Sequence, residues 1–268
     1  MKRICWLALA ASAAFGQTPS IGEIMSKVAA NQDRSVDARK QFVYRQEELV
    51  ALRRTNGKTE CQVDREYTIT PGAGGSVRKL VNAKEVMGHC DDDIGSNVTV
   101  NIDHDTADVM HDSLGHEKDG IPRDLFPLTV KEQQYYDYRL AGTENYRGRR
   151  VYRIRFEPKR QQPDGESGDW KGEALIDAEE FQPVVVNTDL AGKVPLAVRV
   201  FLGTNVRGLG FSVSYQRVAE GVWFPASFGG EFKLNVLFFY RRSISINVKN
   251  SDFKRTDVNS KVAYDGIQ

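Results

Sequence analysis

Residues 231–242 read EFKLNVLFFYRR, a dense block of apolar side chains in a chain whose mean hydropathy is −0.46. Alternate positions are apolar, and this period of two predicts an extended strand with one buried face. The alternating apolar residues are Phe232, Leu234, Val236, Phe238 and Tyr240. Leu237 and Phe239 make the opposite face apolar as well. Such a strand fits either an ordinary core or the wall of a cavity for an oily ligand.

The same period of two recurs along most of the chain. Two long arms, 42–55 and 58–70, flank Asn56-Gly57, the dipeptide most typical of a two-residue hairpin turn. Further strands are predicted at 77–81, 135–141, 149–158, 172–177, 183–190, 195–202, 210–219, 222–234, 236–248 and 251–257. Regular strands separated by turns are typical of a β-sandwich or β-barrel.

One amphipathic helix precedes these strands. Ser20 and Glu23 have the spacing of a capping box. The apolar residues that follow repeat at helical spacing, and they are Ile21, Ile24, Met25, Val28 and Ala29. We therefore predict a helix over 20–32, with a possible second helix through Val36 and Ala38, and we expect its apolar stripe to cover one face of the sheet.

The first sixteen residues, MKRICWLALAASAAFG, have the features of a signal peptide. A basic start and a short apolar run lead to a small-x-small cleavage site, which predicts cleavage after Gly16. An uncleaved anchor is the alternative. We expect residues 17–268 to form a single exported domain, periplasmic or secreted, that acts as a monomer. The 37 basic and 36 acidic residues nearly balance, so no clustered positive charge points to nucleic acid.

Two cysteines, Cys61 and Cys90, remain after cleavage. In an oxidising compartment an even pair favours one disulfide bond. Two buried free thiols are the alternative.

Residues 82–132 differ in character from the rest, with many acids and no sustained period. All four histidines lie there, and they are His89, His104, His111 and His116. Imidazole and carboxylate groups together can hold a transition metal, so a metal-dependent hydrolase is one possible function. The spacings match no metal-binding motif, and no G-x-S-x-G nucleophile motif occurs in the sequence. The interpretation as solvated polar loops is therefore favoured, and we predict neither catalytic residues nor a cofactor or metal.

A family resemblance rests on two strings, GEALIDAEEFQPVVV at 172–186 and GRRVYRIRFEPK at 148–159. Together with the export signal, the capped helix and the long hairpins, they resemble the outer-membrane lipoprotein-sorting proteins, which are periplasmic lipoprotein carriers. The resemblance covers about 20–81 and 135–258 and does not extend over 82–132. Asp177, Phe181 and Pro183 would be the fold markers of this family.

The resemblance implies a mainly β fold of the α+β class, an incomplete antiparallel barrel or curved sheet covered by the N-terminal helix and by short helices or loops. It also implies an apolar cavity for acyl chains and an arginine that fastens the helical lid, for which Arg45 and Arg65 are candidates. The candidate cavity-lining residues are Phe211, Trp223, Phe232, Leu234, Val236, Phe238 and Tyr240.

The predicted function is therefore that of a non-enzymatic carrier for a lipid or an acylated lipoprotein, with envelope membrane proteins as further possible partners. A protein-binding or sensing module with a dry core is the first alternative. The metal-dependent hydrolase is the second.

Overall fold

The computed structural model describes residues 18–72, 75–87, 127–159, 170–191, 205–236 and 240–256. In these residues ten strands form one antiparallel sheet, which is curved and not closed into a barrel, and a helix at the N-terminal end packs on one of its faces. The predicted fold class is confirmed.

Within the described residues the helices are α1, Ile21–Arg39, and α2, Val130–Gln133. The strands are β1, Phe42–Arg54; β2, Thr59–Gly72; β3, Gly75–Met87; β4, Tyr136–Tyr146; β5, Arg149–Pro158; β6, Trp170–Asp177; β7, Pro183–Leu190; β8, Asn205–Ala219; β9, Val222–Val236; and β10, Tyr240–Arg255. The predicted strand at 195–202 lies outside the described residues.

The sheet consists of two meanders, which are joined where β10 pairs with β1. Strands β1 to β3 pair in sequence, and so do β4 to β10. Strand β10 then pairs with β1, which gives the order β3-β2-β1-β10-β9-β8-β7-β6-β5-β4. Among the described strands, β3 and β4 are therefore the two edges of the sheet.

Helix α1 begins as the sequence predicts. The Ser20 hydroxyl accepts a hydrogen bond from the Glu23 backbone N–H, and the Glu23 carboxylate accepts one from the Ser20 backbone N–H. Among the described residues the helix is longer than predicted, because the two expected helices form one continuous element that ends at Arg39.

The β1–β2 hairpin also follows its local sequence. Gly57 has a backbone φ of +80°, a conformation that glycine adopts without strain. The Asn56 side chain accepts a hydrogen bond from the Lys58 backbone N–H at 3.0 Å. Alternate residues of β1 are buried, from Phe42 to Leu52, as the period of two requires.

Residues 231–236 and 240–242 belong to two antiparallel strands, β9 and β10, in agreement with the separate strands predicted at 222–234 and 236–248. Residue Val236 ends β9, Tyr240 begins β10, and the two lie opposite each other in the register. Position 232 lies opposite Ile244, and Ile244 is 2% exposed. The described parts of the apolar block thus pair with each other.

The face of the sheet that α1 covers is called the inner face below. In its main core, the helix residues Ile24, Met25 and Val28 pack against side chains from strands of both meanders. Rings lie at its centre: Phe211 stacks on Phe228 with centroids 5.4 Å apart, and Trp170 meets the edge of Phe211 at 5.4 Å.

A second apolar group, the aromatic end cluster, lies on the inner face where β1 begins and β10 ends. It contains Phe42, Tyr44, Tyr67, Ile69 and Phe224, with Phe253 packed against them. The Phe224 ring is fully buried and lies 5.1 Å from Phe42 and 4.7 Å from Phe253, centroid to centroid. Rings therefore fill this end of the inner face.

Candidate ligand-binding site

The first half of α1 packs on the inner face through its apolar stripe. Ile24 and Val28 are fully buried, and Met25 is 4% exposed. Hydrophobic burial of this kind is not directional, so it fixes the helix against the sheet without fixing its position along the sheet.

The second half of α1 is held by directional polar contacts. The Asn31 side chain donates from Nδ2 to the carbonyl oxygens of Glu180 at 2.7 Å and Phe181 at 3.0 Å. The Gln32 side chain donates to the side-chain oxygen of Gln182 at 3.2 Å, and Gln182 in turn donates to the Ser35 hydroxyl at 3.5 Å. These contacts place α1 on the turn between β6 and β7.

That turn is the part of the chain that carries the family-like sequence. Asp177 is 2% exposed, and its Oδ1 accepts hydrogen bonds from the backbone N–H groups of Glu179 at 3.0 Å and Glu180 at 2.8 Å. Arg149 donates to the other carboxylate oxygen at 3.0 Å. The turn so fixed holds Phe181 at a φ of +52°, which is uncommon for a residue with a side chain. Lys27 of α1 lies 4.2 Å from the Phe181 ring centroid.

An open cavity of about 440 Å³ lies beside the first half of α1. It is called the helix groove below, and it is lined by Ile21, Gly22, Met25, Ser26, Ala29, Val130, Gln133 and Tyr138. Small-molecule sites have volumes of about 300 to 1,000 Å³ and mainly apolar walls. Val130 of α2 is 64% exposed at this groove, which is unusual for a large apolar side chain beside a core.

Polar contacts hold the floor of the helix groove in place. Gln133 donates from Nε2 to the carbonyl oxygens of Met25 at 2.9 Å and Leu128 at 2.8 Å, which ties α2 to α1. The Tyr138 hydroxyl donates to the Pro127 carbonyl oxygen, and burial raises the pKa of Tyr138 above its usual value. The Tyr138 ring is therefore a neutral wall of the groove.

A group of charged and amide side chains interrupts the apolar inner face. This polar band consists of Gln46, Glu48, Arg65, Arg78 and Asn250. Glu48 is 3% exposed and Arg65 is 6% exposed. On β1 the band separates the aromatic end cluster, with Phe42 and Tyr44, from the main core, with Val50 and Leu52.

Hydrogen bonds connect the band from strand to strand. Asn250 donates to the Pro225 carbonyl oxygen at 2.9 Å and accepts from Gln46 at 3.1 Å. Arg78 donates from Nε to Gln46 at 2.8 Å and from Nη2 to Glu48 at 2.7 Å. Arg65 donates to the other oxygen of Glu48 at 3.3 Å. The network thus runs from β9 through β10 and β1 to β2 and β3.

The two predicted lining residues with described side chains lie in different clusters. Phe211 is buried in the main core. Trp223 is buried with Val151, Leu175 and Val184 in a separate cluster, and its indole N–H donates to the Glu180 carboxylate at 2.9 Å. The structure therefore brings Phe211, and not Trp223, into the cluster that α1 covers.

Four of the other five predicted lining residues lie in β9 and β10. Phe232, Leu234 and Val236 are in β9 and Tyr240 is in β10. Phe238 lies outside the described residues. Their role in a cavity stays a prediction.

The predicted disulfide involves one described residue. Cys61 is 2% exposed in the main core and is disulfide-bonded. Cys90 lies outside the described residues, so the pairing of these two residues stays a prediction.

The two arginines proposed as lid fasteners take different places. Arg45 is exposed and pairs with Glu66 at 2.6 Å, on the face opposite Gln46 and Glu48. Arg65 belongs to the polar band. Among the described residues, the polar contacts that hold α1 on the turn come instead from Asn31, Gln32 and Ser35.

The histidines of the predicted polar segment, His89, His104, His111 and His116, lie outside the described residues. The described residues include no group of three or more His, Cys, Asp or Glu side chains arranged to hold a metal ion. None of the described helices combines the length and apolar character needed to cross a membrane.

Similar proteins occur among solved structures. The sequence matches no protein-family model and no curated protein. A protein described as an outer membrane lipoprotein-sorting protein domain, from Vibrio parahaemolyticus, is 11% identical with a TM-score of 0.39, over 90% of this chain and 95% of that chain. A DUF1329 family protein from Desulfovibrio piger is 14% identical with a TM-score of 0.38, over 92% of this chain and 97% of its own.

A LolA superfamily protein from Nitrosomonas europaea is 12% identical with a TM-score of 0.34, over 90% of this chain and 96% of its own. Structures of lipoprotein-sorting and LolA superfamily proteins are thus among those that this chain resembles. Since each of these TM-scores is below 0.5, we infer no ligand or partner from them.

Proposed function

We propose that the protein is an exported carrier that holds a lipid, or the acyl chains of a lipoprotein, against the inner face of its open sheet, with α1 and α2 as the cover. The observation that carries the proposal is the helix groove. It is apolar, of ligand size, and lined by both helices and by Tyr138 from the sheet.

The energetics of such a site favour hydrocarbon. Each buried methylene contributes about 0.8 kcal/mol, so about ten buried carbons contribute about 8 kcal/mol before ordering costs. No covalent step is required for this function. Release requires a partner or a movement of the cover, because the same free energy opposes dissociation.

The docking of α1 supports a role as a cover. Its second half is fixed by a few hydrogen bonds to one turn, and its first half by apolar packing beside the groove. A helix attached in this way can leave the sheet without breaking any strand pairing. An exported location, predicted from residues 1–16, and a lipoprotein or membrane-protein partner in the envelope, implied by the family resemblance, belong to the same proposal.

The first experiment is purification of the exported protein without detergent, followed by organic extraction and mass spectrometry. We expect an amphiphile to co-purify at about one molecule per chain. A protein that carries none, and that takes up no fluorescent fatty-acid probe, would contradict the proposal and favour the protein-binding module with a dry core.

A pair of valine substitutions locates the site. Val130→Asp introduces a charge into the helix groove, where Val130 is 64% exposed, so we expect little change in folding but probe binding at least about tenfold weaker. Val77→Asp is the matched control, because Val77 is 52% exposed on β3 and does not line the groove. Equal binding by both variants would place the ligand elsewhere.

A further inference from the structure

The walls of the helix groove carry no formal charge. The residues that line it within the described part of the chain are apolar or neutral, and none of them is Asp, Glu, Lys, Arg or His. Burial raises the pKa of Tyr138 above its usual value, so its hydroxyl stays neutral as well. A charged group that entered the groove would therefore lose its hydration without meeting a counter-charge, which is strongly unfavourable.

The hydrogen-bond donors of the groove are already in use. Gln133 donates from Nε2 to the carbonyl oxygens of Met25 and Leu128, and the Tyr138 hydroxyl donates to that of Pro127. These contacts hold the walls together, so turning Gln133 toward a ligand would break the tie between α2 and α1. Ser26 is exposed at the groove and supplies only a neutral hydroxyl. The groove thus offers contact to hydrocarbon and little recognition of polar groups.

The start of α1 does not change this conclusion. Ile21 and Gly22 line the groove, so the positive end of the helix dipole lies beside it. The Glu23 carboxylate accepts hydrogen bonds from the Ser20 backbone N–H at 2.7 Å and from the Ser20 hydroxyl at 2.8 Å. These hydrogen bonds hold the pKa of Glu23 below its usual value, so it is ionised near neutral pH. An anionic head group would therefore find a carboxylate already at this helix end.

The volume of the groove limits how much hydrocarbon it can hold. A methylene is similar in size to a water molecule, whose share of liquid volume is about 30 Å³. The groove, with about 440 Å³, therefore has room for about fifteen methylenes. This is one long alkyl chain, and a second chain of equal length would need the same volume again.

We propose that the helix groove binds one unbranched alkyl chain of up to about fifteen carbons and leaves the head group, whatever its charge, outside in water. The ligand is therefore a single-chain amphiphile, or a lipid that inserts one chain only. This inference rests on the proposed function and adds the number and length of the buried chains and the absence of head-group recognition.

The first experiment varies the head group at a fixed chain length. Dodecanoate, dodecanol and dodecyltrimethylammonium compete for a fluorescent fatty-acid probe near neutral pH, each below its micellar concentration. We expect the three affinities to agree within about threefold, because a charge that stays in water and is screened by salt contributes little. A larger preference for either ion would overturn the inference.

The second experiment varies the chain length at a fixed head group, from octanoate to octadecanoate. Each added methylene should tighten binding about fourfold until about fifteen carbons fill the groove, and the affinity should then level off. A slope that continues unchanged to octadecanoate would contradict the proposed limit.

The third experiment counts the chains. Decylphosphocholine and didecanoyl phosphatidylcholine share a head group, but the first has one alkyl chain and the second has two. If one chain enters the groove, their affinities should agree within about tenfold, whereas burying the second chain would add about fourfold for each of its methylenes. A gain above tenfold would mean that the site holds both chains.

A pair of leucine substitutions on α1 assigns the length limit to the groove. Ser26→Leu adds two heavy atoms to a lining side chain, so the affinity should level off at chains about two carbons shorter. Ala30→Leu is the matched control, because Ala30 is exposed on the same helix and does not line the groove. Thermal melting of both variants separates a change in the site from a change in folding. The same limit in Ser26→Leu and wild type would place the chain elsewhere and overturn the inference.

The outcomes separate the two proposals. If the wild-type protein binds none of these amphiphiles, the carrier function itself is wrong. If it binds them but selects by head-group charge or holds two chains, the carrier function stands and the single-chain inference is wrong.

Discussion

The inner face has two apolar regions that differ in how completely they are filled. In the aromatic end cluster, Phe224 is fully buried and touches rings from β1 and β10. In the helix groove, about 440 Å³ stays open, and Val130 is 64% exposed. Hydrophobic sequence alone therefore does not define a ligand site. The proposed site lies where the packing is left incomplete.

The largest expected effect on stability comes from removing a ring from the aromatic end cluster. Phe224→Ala should destabilise the protein by about 3–5 kcal/mol, because the cavity it leaves is enclosed by other rings. Chemical denaturation measures the loss, with Tyr135→Ala, at a residue 36% exposed, as the control. Binding of a fatty-acid probe by the folded fraction should not change. A cost below about 1 kcal/mol would mean that this end is not tightly packed.

Two glycine positions test the same difference in packing. A Cβ at Gly230 would lie 2.6 Å from the Phe211 ring and 2.7 Å from the Gly210 carbonyl oxygen, so Gly230→Ala should cost about 1–3 kcal/mol. A Cβ at Gly22, in the helix groove, would meet nothing within 4 Å. Gly22→Ala should therefore leave stability unchanged or raise it by about 0.5–1 kcal/mol. Melting temperatures that move equally for both variants would contradict the difference in packing.

The attachment of α1 can be weakened without touching either apolar region. Asn31→Ala leaves the Glu180 and Phe181 carbonyl oxygens without this donor, at a site where Asn31 is 8% exposed. We expect a loss of about 1–3 kcal/mol and faster release of a bound probe, measured by stopped-flow displacement.

Asp33→Ala, at an exposed position of the same helix, is the control for this variant. Unchanged release would mean that α1 does not act as a cover.

The smallest expected effect concerns the acid sensitivity of folding at Glu60, which does not line the helix groove. Burial acts to raise the pKa of Glu60, but hydrogen bonds from Arg242 and Arg54 outweigh it and hold the pKa below its usual value. The unfolded chain therefore binds this proton more tightly than the folded chain does. The resulting stabilisation, about 1 kcal/mol or less, is complete above the unfolded pKa of about 4.3 and is lost as the pH falls further.

Glu60→Gln should flatten this part of the stability curve, measured by urea denaturation between neutral and acidic pH. Glu47→Gln is the control, because Glu47 is exposed on the face of β1 opposite the inner face. An identical pH dependence in wild type and Glu60→Gln would contradict the assignment.

Local features of the fold could be predicted from the sequence because neighbouring residues encode them. The Ser20–Glu23 cap and the Asn56-Gly57 turn need only residues within three positions of each other. The turn at Asp177 is likewise closed locally, because the Asp177 carboxylate accepts from the backbone N–H groups of Glu179 and Glu180, which is why a short string was enough to suggest the fold.

The polar band was missed because its partners are far apart in sequence. Gln46 and Glu48 stand at buried positions of the β1 alternation, but their polar side chains are ones that usually face solvent, and Arg78 lies thirty residues beyond Glu48. Only the pairing of β1 with β2 and of β2 with β3 brings them together on the buried face. The helix groove was missed for a similar reason, since it depends on where α2 docks against α1.

The most direct test of the carrier function is native mass spectrometry of the exported protein, incubated with dodecanoate and never exposed to detergent. We expect one bound amphiphile on the wild-type chain and a mostly bare mass for Gly22→Trp, whose ring would occupy the helix groove, while Asp33→Trp should bind normally. A bare wild-type chain, or equal loading of Gly22→Trp and wild type, would contradict it.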